Sequence, residues 1–288
     1  MQDQTPAAMN AEDLRQQAAD LALLQAFIQE RQKLLVITGA GISTASGIGD
    51  YRDGAGQWKR QRPVSHQDFM AHFSWRQRYW GRSQLGYPSF LKAEPNCAHR
   101  ALARLEQAGK VSGLVTQNVD RLHQRAGHRQ VVDLHGRLDQ VICMDCGEIE
   151  SRNAIQVWLE AHNPQLQTQS FAPAPDGDAD LEIDFSQLAV PSCSNCSGIL
   201  KPHVVFFGDS VDRGIVDSIS AQVEAADGIL VVGSSLMVFS SFRFVRHAHA
   251  NGVPIAALNR GVTRADDLFA LKVKASCNEL DSIIAGAG

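Results

Sequence analysis

An α/β fold, a doubly wound parallel sheet interrupted by two smaller modules, is predicted by three features of the chain. The first lies in Lys33–Arg52, where the apolar run Leu34, Leu35, Val36, Ile37 stops abruptly at Thr38-Gly39-Ala40-Gly41. An apolar run halted by closely spaced glycines reads as a buried strand turning tightly into a helix. The second is the repetition of that pattern. Apolar runs in 111–116, 131–134, 228–232 and 253–258 end at Gln117-Asn118, His135-Gly136, Gly233-Ser234-Ser235 and Asn259-Arg260-Gly261. In open parallel sheets, ligands sit just beyond the carboxyl ends of the strands, so these ends place a ligand along one edge. The third is a change of composition between His135 and Lys201, where two C-x-x-C pairs bracket residues 147–192.

With 288 residues, 44% hydrophobic and 20% charged, the chain holds one large domain or a domain carrying an insertion. A formal net charge of −4 argues against a nucleic-acid binder held by a basic surface. No apolar stretch approaches a membrane span. The stretch Met1–Gln17 shows neither a signal peptide's basic and apolar regions nor an Arg-rich transit composition, so a cytoplasmic protein is expected.

Taken in order, residues 11–32 carry Leu14, Ala18, Leu21, Leu24 and Ile28 at helical spacing behind Asn10, a suitable N-cap. This helix feeds the first strand and has a packing role. From Asp53 to Tyr87 the periodicity is lost, and Trp58, Phe69, Phe73, Trp75, Tyr79 and Trp80 alternate with Arg and Gln. Such interleaving can bind nucleic acid; the reading adopted is a loop followed by short helices with aromatic anchors. Residues 95–109 form a helix with Pro95 near its start and Gly109 after its end.

Six cysteines are present, and the two C-x-x-C pairs read as metal ligands rather than disulfides. Cys143, Cys146, Cys193 and Cys196 match one structural Zn²⁺ with four thiolates, a closed site without an open catalytic position. A redox dithiol is disfavoured because there are two pairs. The acids Asp176, Asp178, Asp180, Glu182 and Asp184 lack the glycine and glutamate of a calcium loop and read as a solvated acidic loop. The predicted architecture is therefore Rossmann-like over 10–52, 93–136 and 200–282. A cofactor loop and helical module occupy 53–92, and a zinc-binding module occupies 137–199.

The turn at Gly39–Gly41 suits a nucleotide diphosphate, because glycine lets the backbone approach phosphate closely. It is neither G-x-G-x-x-G, since the next glycine is Gly47, nor a P-loop, since no G-K-[ST] follows. A tight strand–helix turn without a ligand stays open as the alternative. Asp50-Tyr51-Arg52 brings both signs of charge to the same turn. Among the strand ends, His135 is the candidate general base, with Asn118 and Asp120 as an amide and a carboxylate beside it. There is no G-x-S-x-G elbow, no cysteine beside the turn and no evident acid to grip an adenosine ribose. The nucleotide serves something other than hydride transfer.

GAGISTASGIGDYR, TQNVDRLH, Leu134-His135-Gly136, the two C-x-x-C pairs, KPHVVFFGD, GSSLMV and LNRG follow one another as in sirtuins. Over residues about 30 to 280 the chain resembles a Sir2-type NAD-dependent protein deacylase. VTQNVD, CMDCGE, the APDGD segment and Gly261–Arg264 resemble the class II branch, which has mitochondrial and bacterial members. The resemblance implies that Gly39, Ala40, Gly41 and Ser43 cradle the NAD diphosphate and that Asp50, Tyr51 and Arg52 belong to a cofactor loop. Gln117, Asn118 and Asp120 would line the nicotinamide and ribose pocket, with Asn118, Asp120 and His135 forming the catalytic set. Gly233, Ser234, Ser235, Asn259, Arg260, Gly261 and Cys277 would hold the adenosine half.

The reaction so implied begins when the acyl oxygen of an acyl-lysine attacks the ribose anomeric carbon as nicotinamide leaves. His135 then deprotonates a ribose hydroxyl, and the products are lysine, nicotinamide and O-acyl-ADP-ribose. Substrate would add as a strand between 204–208 and 237–239, a mode tolerant of peptide sequence. Val205, Phe207, Gly208, Met237 and Val238 are its contacts. Gly49 stands where proline is common in the family and should loosen the cofactor loop. Tyr79-Trp80-Gly81-Arg82 has the spacing of an acyl-carboxylate reader. A protein mono-ADP-ribosyltransferase and a non-catalytic zinc-ribbon interaction module are the competing functions.

Overall fold

A computed structural model describes residues 10–49, 63–169, 172–173, 177–181 and 183–285. Asp50, Tyr51 and Arg52, together with Asp176 and Glu182 of the acidic run, lie outside the described residues. The strands are β1 (Leu34–Thr38), β2 (Val111–Thr116), β3 (Val131–Asp133), β4 (Gly136–Cys143), β5 (Ile149–Ser151), β6 (Ala172–Pro173), β7 (Ala179–Asp180), β8 (Leu200–Val204), β9 (Gly228–Val232), β10 (Ile255–Leu258) and β11 (Leu271–Val273). The helices are α1 (Ala11–Gln29), α2 (Ala40–Ser43), α3 (His66–Ala71), α4 (Phe73–Leu91), α5 (Cys97–Gln107), α6 (Leu122–Arg125), α7 (Arg152–His162), α8 (Arg213–Ala225), α9 (Phe239–Ala250) and α10 (Glu279–Ala285).

Six strands form one sheet in the order β11-β10-β9-β1-β2-β3, and every pair in it is parallel. The predicted doubly wound sheet is thus present, extended by β11, which the sequence reading did not contain. β1 and β9 are fully buried, and successive residues alternate between two cores, as strand pleating requires. Leu34 and Val36 join Leu102, Leu105 and Leu280 from α5 and α10, while Leu35 and Ile37 join Ile219, Val223, Phe244 and Val245 from α8 and α9. Helices therefore cover both faces. Thr38 is level with Thr116 on one side and with Val232 on the other, and Val232 is level with Leu258. That register sends the turns after β1, β2, β9 and β10 off one edge together.

α1 begins at Asn10, whose side chain accepts from the Glu12 and Asp13 amides, as expected. Its burial is confined to Leu24, Phe27 and Ile28; Leu14, read as part of the packing stripe, is 53% exposed. α5 is closed by a capping box between Asn96 and His99.

The two inserted segments share one apolar core. Phe69, Tyr79, Trp80 and Leu85 pack with Val141, Ile155, Leu159 and Leu200, around the antiparallel sheet β5-β4-β8. Instead of several short helices, α4 is one helix of 19 residues. Gly86 of α4 explains how close the layers come: a Cβ there would strike the backbone of Gly177 and Asp178. The acidic run is consequently not a solvated loop throughout. Asp178 is only 6% exposed, pressed against α4 and the fully buried Arg152 region.

Candidate active site

The turns leaving the sheet edge enclose a cavity of about 990 Å³. At its centre the turns after β1 and β9 are hydrogen-bonded to each other, with the Gly41 amide donating to the Gly233 carbonyl at 2.8 Å. A Cβ on Gly41 would lie 2.8 Å from that same carbonyl oxygen, so only glycine permits this closeness. The junction is the topological switch point of the sheet, where the chain leaves β1 for one side and β9 for the other.

Beside it, the polar end of β2 is fixed from several directions. Asn118 Nδ2 donates to the Gly39 carbonyl at 3.1 Å and to Ser43 Oγ at 3.0 Å, and Ser43 donates to Asp120 at 2.6 Å. Asp120 also accepts the Leu122 amide at 2.9 Å. Burial raises the Asp120 carboxyl above the ordinary range, and these donors pull in the opposite direction. Gln117 bridges two segments: its Nε2 donates to Ser234 Oγ at 2.6 Å, and its Oε1 accepts from Ser241 at 2.9 Å.

His135 follows β3 and lies 3.1 Å through Nδ1 from the Gln117 carbonyl. A carbonyl only accepts, so Nδ1 carries the proton and Nε2 holds the lone pair. That lone pair faces Ser240 Oγ at 2.7 Å. Burial pushes the imidazole down to about 4, only partly countered by the Gln117 carbonyl, so the ring is neutral at pH 7. The His135 carbonyl accepts from the Val205 amide at 2.9 Å, tying the histidine to the chain that leaves β8.

The cavity wall includes Gly39, Ala40, Gly41, Ser43, Gln117, Asn118, Asp120 and His135. Gly233, Ser234, Ser235, Asn259, Arg260, Gly261 and Cys277 line it as well. Cys277 places Sγ 3.7 Å from the Gly41 carbonyl, and burial pushes its thiol up to about 12, so it packs rather than reacts. Val205, Phe207, Gly208 and Val238 line the cavity; Met237 does not, and its carbonyl accepts from Arg264 instead. Phe207 is 40% exposed, and its carbonyl is already taken by the His66 amide at 2.9 Å. Of the Tyr79 and Arg82 pair, only Tyr79 reaches the cavity wall. Sequence reasoning missed Ser240, Ser241, Arg243, Asp209 and Asp178, all but Ser241 on the wall. Ser240 and Ser241 follow GSSLMV after Phe239, but they lie in the first turn of a helix and so fall outside a search for strand ends.

The four cysteines form a separate cluster with all ligand atoms within 4.8 Å of one another. Cys143 and Cys196 Sγ are 3.5 Å apart, and Cys146 and Cys193 Sγ are 3.7 Å apart. Tetrahedral Zn–S bonds of about 2.3 Å require sulfur separations of about 3.8 Å, so the donor set fits zinc. Both knuckles are built alike: the Cys143 amide donates to the Glu148 carbonyl at 2.8 Å, and the Cys193 amide to Gly198 at 3.0 Å.

Comparison with known proteins supplies the context for this geometry. The model of the Sir2 family matches residues 39–240. A Bordetella bronchiseptica protein named NAD-dependent protein deacetylase is 56% identical over 263 residues, covering 91% of this chain and 96% of its own. The Homo sapiens NAD-dependent protein lipoamidase sirtuin-4, mitochondrial, is 48% identical over 265 residues, covering 91% of this chain and 84% of its own. Among solved structures, a Sir2–p53 peptide–NAD⁺ complex superposes with a TM-score of 0.74 at 27% identity, covering 93% of this chain and 98% of that one. The switch-point cavity, its neutral histidine and the detached thiolate cluster thus lie in a chain that belongs to the Sir2 family.

Proposed function

We infer that this Sir2 protein is an NAD-dependent protein-lysine deacylase, turning acyl-lysine, NAD and water into lysine, nicotinamide and O-acyl-ADP-ribose. One observation carries the chemistry. A buried, neutral imidazole of fixed tautomer, His135, presents Nε2 to the cavity that the Gly39–Gly41 turn also lines. The curated relatives named NAD-dependent protein deacetylase support the reaction class.

The residues present fit NAD. Backbone at Gly39, Ala40 and Gly41, with Ser43, suits the diphosphate, and the close Gly41–Gly233 contact keeps side chains out of that path. Gln117, Asn118 and Asp120 suit the nicotinamide ribose, and Gly233, Ser234, Ser235, Asn259, Arg260, Gly261 and Cys277 the adenosine half. NAD supplies the sugar carbon to which the acyl oxygen is transferred, with nicotinamide as the leaving group. His135 Nε2 takes the proton of a ribose hydroxyl, and Asn118 and Asp120 orient that sugar. The Gln117 carbonyl keeps Nδ1–H in place while the proton moves. Val205, Phe207, Gly208 and Val238 flank the acyl-lysine, and the assignment of Asp50, Tyr51 and Arg52 to a cofactor loop rests on resemblance alone.

Zinc has a structural role, held by Cys143, Cys146, Cys193 and Cys196 away from the proton transfer. The division into a Rossmann-like part (10–52, 93–136, 200–282), a cofactor-loop and helical part (53–92) and a zinc part (137–199) follows the same proposal. Six free cysteines, four of them clustered as ligands, suit a reducing cytoplasm. No described helix is long and apolar enough to cross a membrane. Labelled NAD tests the reaction. Label recovered on O-acyl-ADP-ribose in step with free lysine supports deacylation, and label retained stably on protein supports ADP-ribosyl transfer instead.

A further inference from the structure

The first turns of α9 leave the cavity mouth with an unusual surface. Phe239, Arg243 and Arg246 are spaced to share one face of the helix, and Phe239 is 46% exposed. The guanidinium carbons of Arg243, Arg264 and Arg246 lie 5.2, 5.8 and 6.0 Å from the Phe239 ring centre. Arg264 is also 4.6 Å from the Phe242 ring. Three cations are thus gathered on an aromatic platform in a chain whose net charge is −4.

None of the three is neutralised by a carboxylate among the described residues. Glu224 pairs with His247 at 2.9 Å, and Asp266 with Lys272 at 2.7 Å. Arg243 lines the cavity, and its Nε–H is buried without an acceptor among the described residues. Arg264 donates to the Met237 carbonyl at 3.3 Å, so the cluster is fastened to the segment read as one side of the peptide slot.

We propose that Arg243, Arg246 and Arg264, on the Phe239–Phe242 platform, form a subsite for acidic side chains flanking the acyl-lysine of a protein substrate. The proposal deepens the deacylase reading and rests on it. The occupant's charge follows from the uncompensated cations. Its peptide nature follows from the location, since α9 starts at Val238 and Phe239, on the slot, whereas the diphosphate turn at Gly39–Gly41 lies elsewhere on the cavity wall. Main-chain pairing in such a slot is tolerant of sequence, so side-chain charge beside it is where selectivity can arise.

The test compares acetyl-lysine peptides identical except for flanking residues that are all Asp, all Ala or all Lys, read by nicotinamide release. At about 20 mM salt, kcat/KM for the Asp peptide should exceed that for the Lys peptide by about ten-fold. This follows from a few exposed ion pairs each contributing a small factor. The ratio should shrink to about two-fold at about 300 mM salt, where the screening length falls below the reach of the pairs. Arg246→Glu, at an exposed helix position, should reverse the order of the two peptides, and Arg243→Gln should reduce the ratio. Equal kcat/KM for all three peptides, or an Arg246→Glu ratio like that of the unaltered protein, would overturn the subsite. So would an Arg243→Gln variant that leaves the acetyl peptides unchanged but slows a matched set carrying a dicarboxylic acyl group, whatever the flanks, because that arginine would then read the acyl chain. Absence of turnover on every peptide takes down the deacylase reading, and the subsite with it.

Discussion

The cysteine cluster and the histidine cavity are both made of turns that leave strand ends, yet they are held together in opposite ways. Each cysteine knuckle closes on its own backbone, through the Cys143–Glu148 and Cys193–Gly198 bonds, and needs nothing from the parallel sheet. The cavity has no such local unit. His135 depends on the Gln117 carbonyl, Gln117 depends on Ser234 and Ser241, and Asp120 depends on Ser43. These groups come from the ends of β1, β2, β3 and β9 and from α9, and only the register of the sheet brings them level. A local cluster joined by one ion fails completely when a ligand is lost. A distributed network fails by degrees, according to which bond is removed.

The largest expected effect therefore belongs to the cluster. Cys143→Ser should release zinc and unfold the inserted part of the chain, since structural zinc contributes on the order of 10 kcal/mol that is coupled to folding. Cys143 and Cys193 belong to the core that α4 and α7 share, so protease sensitivity should spread from 137–199 into α4. Zinc content and thermal stability unchanged in this variant would erase the contrast. His135→Ala comes next. Removing the proposed general base should slow deacylation by about 10³-fold, while NAD Kd and zinc content stay close to those of the unaltered protein. Comparable turnover would show that the network is not organised around the imidazole.

The same contrast explains what was legible in the sequence. Four identical ligands at fixed spacing announce themselves, and so do apolar strands that end in glycine or amides. The part that stayed hidden is where burial is polar. On α4 the buried positions include Gln77, Ser83 and Gln84, with Gln77 donating to the Ser186 and Leu188 carbonyls and Gln84 to Asn163. Two amide groups thus donate to the backbone of the insert and Ser83 Oγ accepts from Arg152, so polar positions interrupt any apolar stripe that would mark one long helix. Asp178 hid for a related reason: an acid in a run of acids looks solvated until Gly86 admits the backbone that carries it. β11 is three residues with a lysine at its centre, too short for an alternation to register.

Buried imidazoles make stability depend on pH, and His135 of the distributed site is one of them. His135 and His99 are each pushed down to about 4 by burial, against about 6.5 in the unfolded chain. Between those values the unfolded state binds more protons than the folded one, so stability falls as pH drops. At pH 5 each histidine should cost about 2 kcal/mol relative to pH 8. Buried Asp120 and Asp133 are raised by burial, take up protons first in the folded state and offset part of this loss. Urea titrations at pH 8, 6 and 5 measure the slope. The His135→Ala variant should lose less stability over this interval than the unaltered protein, and an equal loss would remove His135 from the account.

The smallest effect singles out one bond of the network. When His135 accepts a proton at Nε2, the ring becomes a buried cation with two N–H groups to satisfy. Gln117 O takes one, and among the described residues no carboxylate lies in hydrogen-bond contact with the ring, which leaves Ser240 Oγ at 2.7 Å for the other. A hydrogen bond to a charged donor is stronger than one to the neutral ring, so the serine favours the protonated form. Ser240→Ala should lower kcat by about ten-fold, the size of one such bond, and should move the acid limb of kcat/KM to lower pH. Ser240 lies in the first turn of α9, where alanine is well tolerated, so folding should be kept. Ser240→Thr retains the hydroxyl and should restore most of the rate. A rate loss in Ser240→Ala with an unmoved acid limb would mean that the serine shapes the wall without touching the proton, and the network would then end at Gln117.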